Sequence, residues 1–219
     1  MESSILEPLL HSPLLPDYVE ELNDYLKREN QKRLAFYDWL DEDKRAEFID
    51  GEIVIHSPAR AIHITSLSNL TEQIKCFVVK NDLGLVMKEQ ALVRMKRSDF
   101  MPDLLFFSKE KAESISNDTK LFPVPEFIAE FLSPSTENID RKLKFLEYAL
   151  NGVKEYWIVD ADKRIVEQYL LIGQAYMLKR RHDIDEAVEC VVLKGLYIDV
   201  ESLFDEKESQ KAMNKILNG

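Results

Sequence analysis

Three neighbouring segments decide how this chain reads: MPDLLFF (residues 101–107), PEFIAEFLSPST (125–136) and NIDRKLKFLEYALNGVKEYWIVD (138–160). Together they spell strand, loop, strand, helix, strand. The first two strands each hold one acid in or beside an apolar run, Asp103 and Glu130. Even a neutral polar group costs roughly 2–7 kcal/mol when buried without a partner, and a charge costs more. Each carboxylate therefore needs compensation. A divalent cation held between them is one answer, and a salt bridge is the other.

Outward from this centre, Pro102 fixes the approach to the first strand and Pro123 and Pro125 stop any helix before the second. Thr136 or Asn138 can cap the helix that follows, expected over residues 139–150 with Ile139, Leu143, Leu146 and Leu150 as its inward stripe. Asn151-Gly152 ends it. Upstream, AEFIDGEIVIH (46–56) is a hairpin turning on Asp50-Gly51, the strongest short hairpin signal. Residues 60–80 form an amphipathic helix buried through Ile64, Leu67, Leu70, Ile74, Phe77 and Val78. His63 sits one turn before Leu67, where a lone histidine is ordinarily a satisfied core or helix-end residue. Strands are expected at 85–87, 89–95, 164–171, 175–181, 188–193 and 196–200. The N-terminal part reads as a loose arm, then a helix capped by Asp17, then a short second helical piece at 34–40. The charged tail 201–217 is helical. The organisation is a helical arm (1–33), one α/β domain (34–200) and a helical tail (201–219).

Composition bounds the class. The chain has 219 residues, 45% hydrophobic and 32% charged, enough for one sizeable core. No apolar run approaches the ~20 residues of a membrane span. Glu2 and Glu7 without a preceding basic cluster argue against a signal peptide, and Cys76 and Cys190 have no metal-type spacing. A cytoplasmic protein with free thiols is the expectation. A formal net charge of −11 weighs against a general nucleic-acid coat protein, whose affinity rests on neutralising phosphates. It leaves room for a nuclease with a local cationic surface. The basic clusters 27–33, 94–97 and 179–181 read as solvated faces, and Tyr156-Trp157 as packing. Ser133 and Ser135 have no histidine arrangement to make either a nucleophile.

Two carboxylates on adjacent strands with a nearby lysine suit metal-assisted phosphodiester hydrolysis. The lysine can come from the strand or from the helix after it. The strand position two after Glu130 is Leu132, while the helix offers Lys142 and Lys144, and geometry alone leaves both open. The strings AEFIDGEIVIHSP, MPDLLFF, EFLSPST and KFLEYALNGVKEYWIVD resemble the Uma-two family of restriction endonucleases, a branch of the PD-(D/E)XK nuclease superfamily, over roughly residues 36–171. The resemblance implies a restriction-endonuclease-like mixed β-sheet flanked by α-helices. It also implies a site of Asp103, Glu130 and Lys144, with Glu47 as a third acid beside Asp103 and Glu130 for Mg²⁺ or Mn²⁺. It further implies DNA as substrate and a homodimer. The superfamily's usual Glu-x-Lys is broken at Leu132, the branch having moved its lysine to the helix. Plain alternatives stand beside these assignments. Asp103 can be a turn residue, Glu130 half of a salt bridge, Glu47 an exposed strand residue, and the whole a nuclease-like fold kept for binding or regulation.

Overall fold

The computed structural model describes residues 6–41, 43–134 and 136–218; Glu2 and Ser135 lie outside them. The chain divides into two compact units, residues 1–55 and 56–219.

The first unit consists of a short helix, a long helix and a β-hairpin. A five-residue helix α1 (Leu6–Leu10) leads into the long α2 (Leu15–Trp39). The expected loose arm is thus helical from Leu6, and the two expected helices are one. Pro16 falls in the first turn, where its missing N–H costs nothing and its fixed φ suits the helix. Asp17 lies inside that turn rather than at its cap. Strands β1 (Ala46–Ile49) and β2 (Glu52–Ile55) pair antiparallel across Asp50-Gly51, whose φ values of 51° and 79° give the left-handed turn that matches strand twist. Phe36 packs on Phe48 with ring centroids 5.7 Å apart, laying the C-terminal half of α2 on the hairpin.

The second unit is built on a six-stranded mixed sheet in the order β11-β10-β9-β8-β6-β3. Its members are β3 (Gly84–Lys88), β6 (Leu104–Ser108), β8 (Phe127–Phe131), β9 (Glu155–Asp160), β10 (Ile165–Ile172) and β11 (Ala175–His182). Only β8 and β9 run parallel, bridged by the helical segment between them; the other neighbours are antiparallel. Of the short strands, β4 (Leu92–Arg94) pairs antiparallel with β5 (Asp99–Phe100) and parallel with β7 (Leu121–Phe122), and α4 (Lys109–Ala112) follows β6. The expected strand 89–95 is shortened because Glu89 and Gln90 take positive φ and turn the chain.

One face of the sheet packs on α3 (Ala61–Lys80): Leu67, Leu70, Ile74 and Val78 meet Leu104, Phe106, Phe127, Ala129, Phe131 and Trp157. Ile64, expected inside, is exposed. Another side of α3 is covered by α7 (Glu201–Phe204) and α8 (Glu206–Asn218), through Gln73 on Ser202 at 2.9 Å and Lys80 on the carbonyls of Ile216 and Leu217. The strand pair β12 (Ala187–Glu189) and β13 (Tyr197–Asp199) completes the chain's ladders. It is tied in by Glu155, fully buried, which accepts from Trp157 Nε1 (2.7 Å), Gln168 Nε2 (2.6 Å) and the Val192 N–H (2.8 Å). A buried carboxylate tolerates its place only when hydrogen-bonded this fully.

The connection from β8 to β9 departs most from the sequence expectation. It consists of α5 (Glu137–Ile139), a wide π-helical turn over Asp140–Lys144, and α6 (Phe145–Asn151), ending at Gly152 with φ 88°. The inward residues are Asp140, Lys144, Glu147, Tyr148 and Ala149, while Leu146 and Leu150 are exposed. The leucine stripe faces out because the strand beneath presents Glu130, and a carboxylate there needs donors rather than methyl groups.

Candidate active site

Asp103 stands one residue before β6 and Glu130 lies in β8. These strands pair with Leu104 opposite Ala129, so the same register carried one step further sets Asp103 opposite Glu130. Facing residues of an antiparallel pair project to the same side. Because Phe127, Ala129 and Phe131 point at α3, Glu130 points to the other face, toward α6. The two acids are locked reciprocally by backbone: Glu130 Oε2 accepts the Asp103 N–H at 3.2 Å, and Asp103 Oδ2 accepts the Phe131 N–H at 2.8 Å.

The π-helical turn supplies the cation. Lys144 Nζ donates to Glu130 Oε1 at 2.9 Å and stands 3.4 Å from Asp140 Oδ1; Lys144 and Glu130 have side-chain exposures of only 3% and 4%. Tyr148, one turn on, donates its hydroxyl to the same Oε1 at 2.7 Å. The ammonium also lies 5.7 Å from the centroid of the Phe100 ring. Lys142 is exposed. The four-residue steps Asp140, Lys144 and Tyr148 thus bring an acid, a base and a hydroxyl to one face. Lys144 and Asp140 share a face by sequence spacing alone; Tyr148 as a donor to Glu130 was not anticipated, and its i,i+4 spacing from Lys144 is the signal that could have found it.

His63 is the other group that sequence reasoning set aside. Its ring packs on Phe131 at 5.7 Å between centroids, and its Nε2 stands 3.5 Å from Asp103 Oδ1, too long for a firm hydrogen bond. Burial alone would push the Asp103 carboxyl up, but His63, the Phe131 N–H and Lys144 outweigh it and hold the group below its usual range. Tyr156, completely buried beneath the turn, is pushed well above the ordinary phenol value by burial and by the charges of Glu130 and Asp140. Neither it nor Trp157 has any surface for base stacking.

Asp103, Glu130 and Lys144 are therefore brought together within the second unit. Glu47 belongs to the first, on β1 opposite Val54, where it is buried rather than exposed. Among the described residues no cluster of three or more His, Cys, Asp or Glu forms a ready metal cage.

The Uma2 family, described as "Putative restriction endonuclease", matches residues 33–201. The chain belongs to this family. The Uma2 match begins near the end of α2 and stops at the start of α7, so most of the long helix and all of α8 lie beyond it. Among solved structures, a putative nuclease of DUF820 from Anabaena variabilis has the same fold. It superposes with a TM-score of 0.66 at 18% identity, covering 77% of this chain and 94% of that one. No curated protein matches the sequence. The fold is therefore the restriction-endonuclease-like mixed sheet flanked by helices. Among the described residues, no helix is long and apolar enough to cross a membrane.

Proposed function

We propose that this Uma2 protein is a divalent-metal-dependent endonuclease that hydrolyses phosphodiester bonds in DNA. One observation carries the reading: two buried carboxylates from adjacent strands are pinned side by side by backbone N–H groups, with a lysine ammonium on one of them. A purely structural pair of acids would more economically be replaced by apolar residues.

The donor set fits a hard cation. Carboxylate oxygens have two lone-pair sites each, so an oxygen that accepts one N–H can still ligate a cation. Mg²⁺ characteristically takes one or two carboxylates and keeps waters and substrate phosphate in its remaining positions, so no complete protein cage is needed. We assign Asp103 and Glu130 as the ligands. Bound there, Mg²⁺ or Mn²⁺ would supply Lewis-acid polarisation of the scissile phosphate and a more acidic water. Lys144 donates to Glu130 and places positive charge beside the centre, where the pentavalent phosphate gathers negative charge. Tyr148 fixes the Glu130 rotamer from the same side. Cutting both strands of a duplex with one such centre per chain calls for two chains, and we take the working form to be a homodimer.

The test is nicking of supercoiled DNA with Mg²⁺ or Mn²⁺, set beside calorimetric Mn²⁺ binding. Asp103→Ala and Glu130→Ala should each abolish cleavage and weaken the ion's binding while circular dichroism stays native. Cleavage undiminished in the Asp103 and Glu130 variants would end the assignment. A second reading, a nuclease fold retained for binding, is favoured by the Lys144 and Tyr148 bonds to Glu130 Oε1, which satisfy that oxygen without an ion. Absence of Mn²⁺ binding at millimolar concentration would decide for it.

A further inference from the structure

The α2 helix carries an apolar heptad stripe, Leu15, Val19, Leu22 and Leu26, which continues along the same face as Glu29, Arg33 and Phe36. The continuation is buried, with Phe36 on Phe48 and Glu29 close against Gly51. The first half is not. Val19, Leu22 and Leu26 are 47%, 59% and 50% exposed, and Tyr25 beside them 48%. The stripe thus runs on past the hairpin that covers its far end. On that hairpin, Ile53 and Ile55 lie on the side that faces α2, opposite Phe48 and Ala46, yet are 43% and 69% exposed. Among the described residues of this unit, an apolar half-helix without a cover and an apolar strand with room beside it occur together.

The charges indicate what occupies both. The exposed first half carries Asp17, Glu20, Glu21 and Asp24 with no base among residues 15–26; Lys27, Arg28 and Lys32 follow on the exposed side of the second half. A helix divided this way is its own electrostatic complement when run antiparallel, and not when run parallel. We propose that two copies of this chain associate through α2, antiparallel, the acidic half of each beside the basic half of the other. Each free stripe then lies over the partner copy's Ile53 and Ile55. The contact is isologous, so it closes as a dimer rather than growing. A 12-residue stripe is only ~18 Å long and ~10 Å wide. The hairpin face is therefore needed to approach the ~800 Å² a side of a stable interface. Glu21, Arg28 and Lys32 lie on one flank of the stripe, Lys32 being bonded to Glu52 of its own chain at 2.7 Å, while Asp17, Glu20, Asp24 and Lys27 lie on the far face. Across ~8 Å screening at physiological salt they choose direction more than strength. This surface rests on the homodimer part of the functional reading and on nothing in its chemistry, and most of it lies before residue 33, outside the family match.

Sedimentation velocity on the full chain at tens of micromolar should show a dimer. Leu22→Glu with Leu26→Glu, both at exposed positions, should give a folded monomer whose Mn²⁺ binding is unchanged, since the free half of α2 holds no proposed site residue. Reversing one block (Glu20→Lys with Glu21→Lys, or Lys27→Glu with Arg28→Glu) should weaken the dimer roughly tenfold at low salt. Reversing both blocks together should restore it. A wild-type monomer, a dimer indifferent to the leucine substitutions, or a dimer unmoved by block reversal (as a parallel pair would be) would overturn the proposal. A dimer lost with Mn²⁺ binding intact would leave the nuclease reading standing, and the reverse result would leave the interface.

Discussion

Lys144→Met removes the ammonium while keeping most of the side chain's volume, and its cost follows from the surroundings of Glu130. The ion pair is 2.9 Å long and buried on both sides. At an effective dielectric of about 20 the gross attraction is about 6 kcal/mol. Desolvation cancels much of that in the intact protein, but the variant keeps the desolvated carboxylate and loses its counter-charge. Deleting one partner of a buried pair costs ~3–5 kcal/mol. Glu130 retains the Tyr148 hydroxyl and the Asp103 N–H, which puts the expected loss near the lower end, about 3 kcal/mol. Glu130→Gln combined with Lys144→Met should lose much less than the two single changes added together. The amide keeps one acceptor, for Tyr148 or for the Asp103 N–H, since these bond different oxygens of Glu130, and no charge is left at position 130. The loss of the ammonium beside Asp140 is common to the Lys144→Met single and the double variant and cancels in the comparison. Urea unfolding followed by the fluorescence of the fully buried Trp157 would measure all three variants. A Lys144→Met cost below about 1 kcal/mol, or additive single and double effects, would show that the pair does not hold the centre as described.

Other consequences are direct. Because the Asp103 carboxyl is held below the 3.8 it has when unfolded, its contribution to stability is complete above that value and is lost as pH falls toward the folded value. Asp103→Asn should therefore flatten the acid limb of a stability profile, and an unaltered limb would refute the assignment. Gly84 opens β3 with φ 144°, and a Cβ there would overlap the Phe107 carbonyl; Gly84→Ala should lower Tm by several degrees, at a cost of at least about 2 kcal/mol. Glu155→Leu leaves the Trp157 Nε1, Gln168 Nε2 and Val192 donors without their acceptor and should cost about 3 kcal/mol or more, read by calorimetry. Burial and the Glu155 charge push the Cys190 thiol up, so in the native protein it should resist a thiol reagent until the protein unfolds.

The sequence displayed its strands and turns well because their signals are local: Asp50-Gly51 for the hairpin, prolines before β6 and β8, Asn151-Gly152 at the end of α6. It also displayed the pairing of Asp103 with Glu130, since one acid near each of two neighbouring strands can meet only if the register allows it. The inward face of the β8–β9 connection was not legible. Leu143, Leu146 and Leu150 have the spacing of a buried stripe, and only the carboxylate that the preceding strand presents beneath the helix turns Leu146 and Leu150 outward. The same holds for Ile64, whose half of the wheel was assigned by its own helix, while the actual cover came from α7 and α8 about 130 residues later, as the Gln73–Ser202 bond shows. Burial of the Glu155 network likewise depends on Val192 and Gln168, which no local pattern links to it.

The wide turn at Asp140–Lys144 has a consequence for how this chain can vary. Such a turn holds one residue more than a regular coil, and it sets the angular phase of everything up to Gly152. Excising a single residue there would wind the segment into an ordinary helix, swinging Lys144 and Tyr148 off Glu130 and offering the leucines to the sheet instead. Point substitutions at the centre leave the scaffold's phase intact, whereas this one-codon loss would exchange a polar interior for a greasy one in a single step. A relative that had abandoned its chemistry should therefore be recognisable by its length at this turn as readily as by its acids.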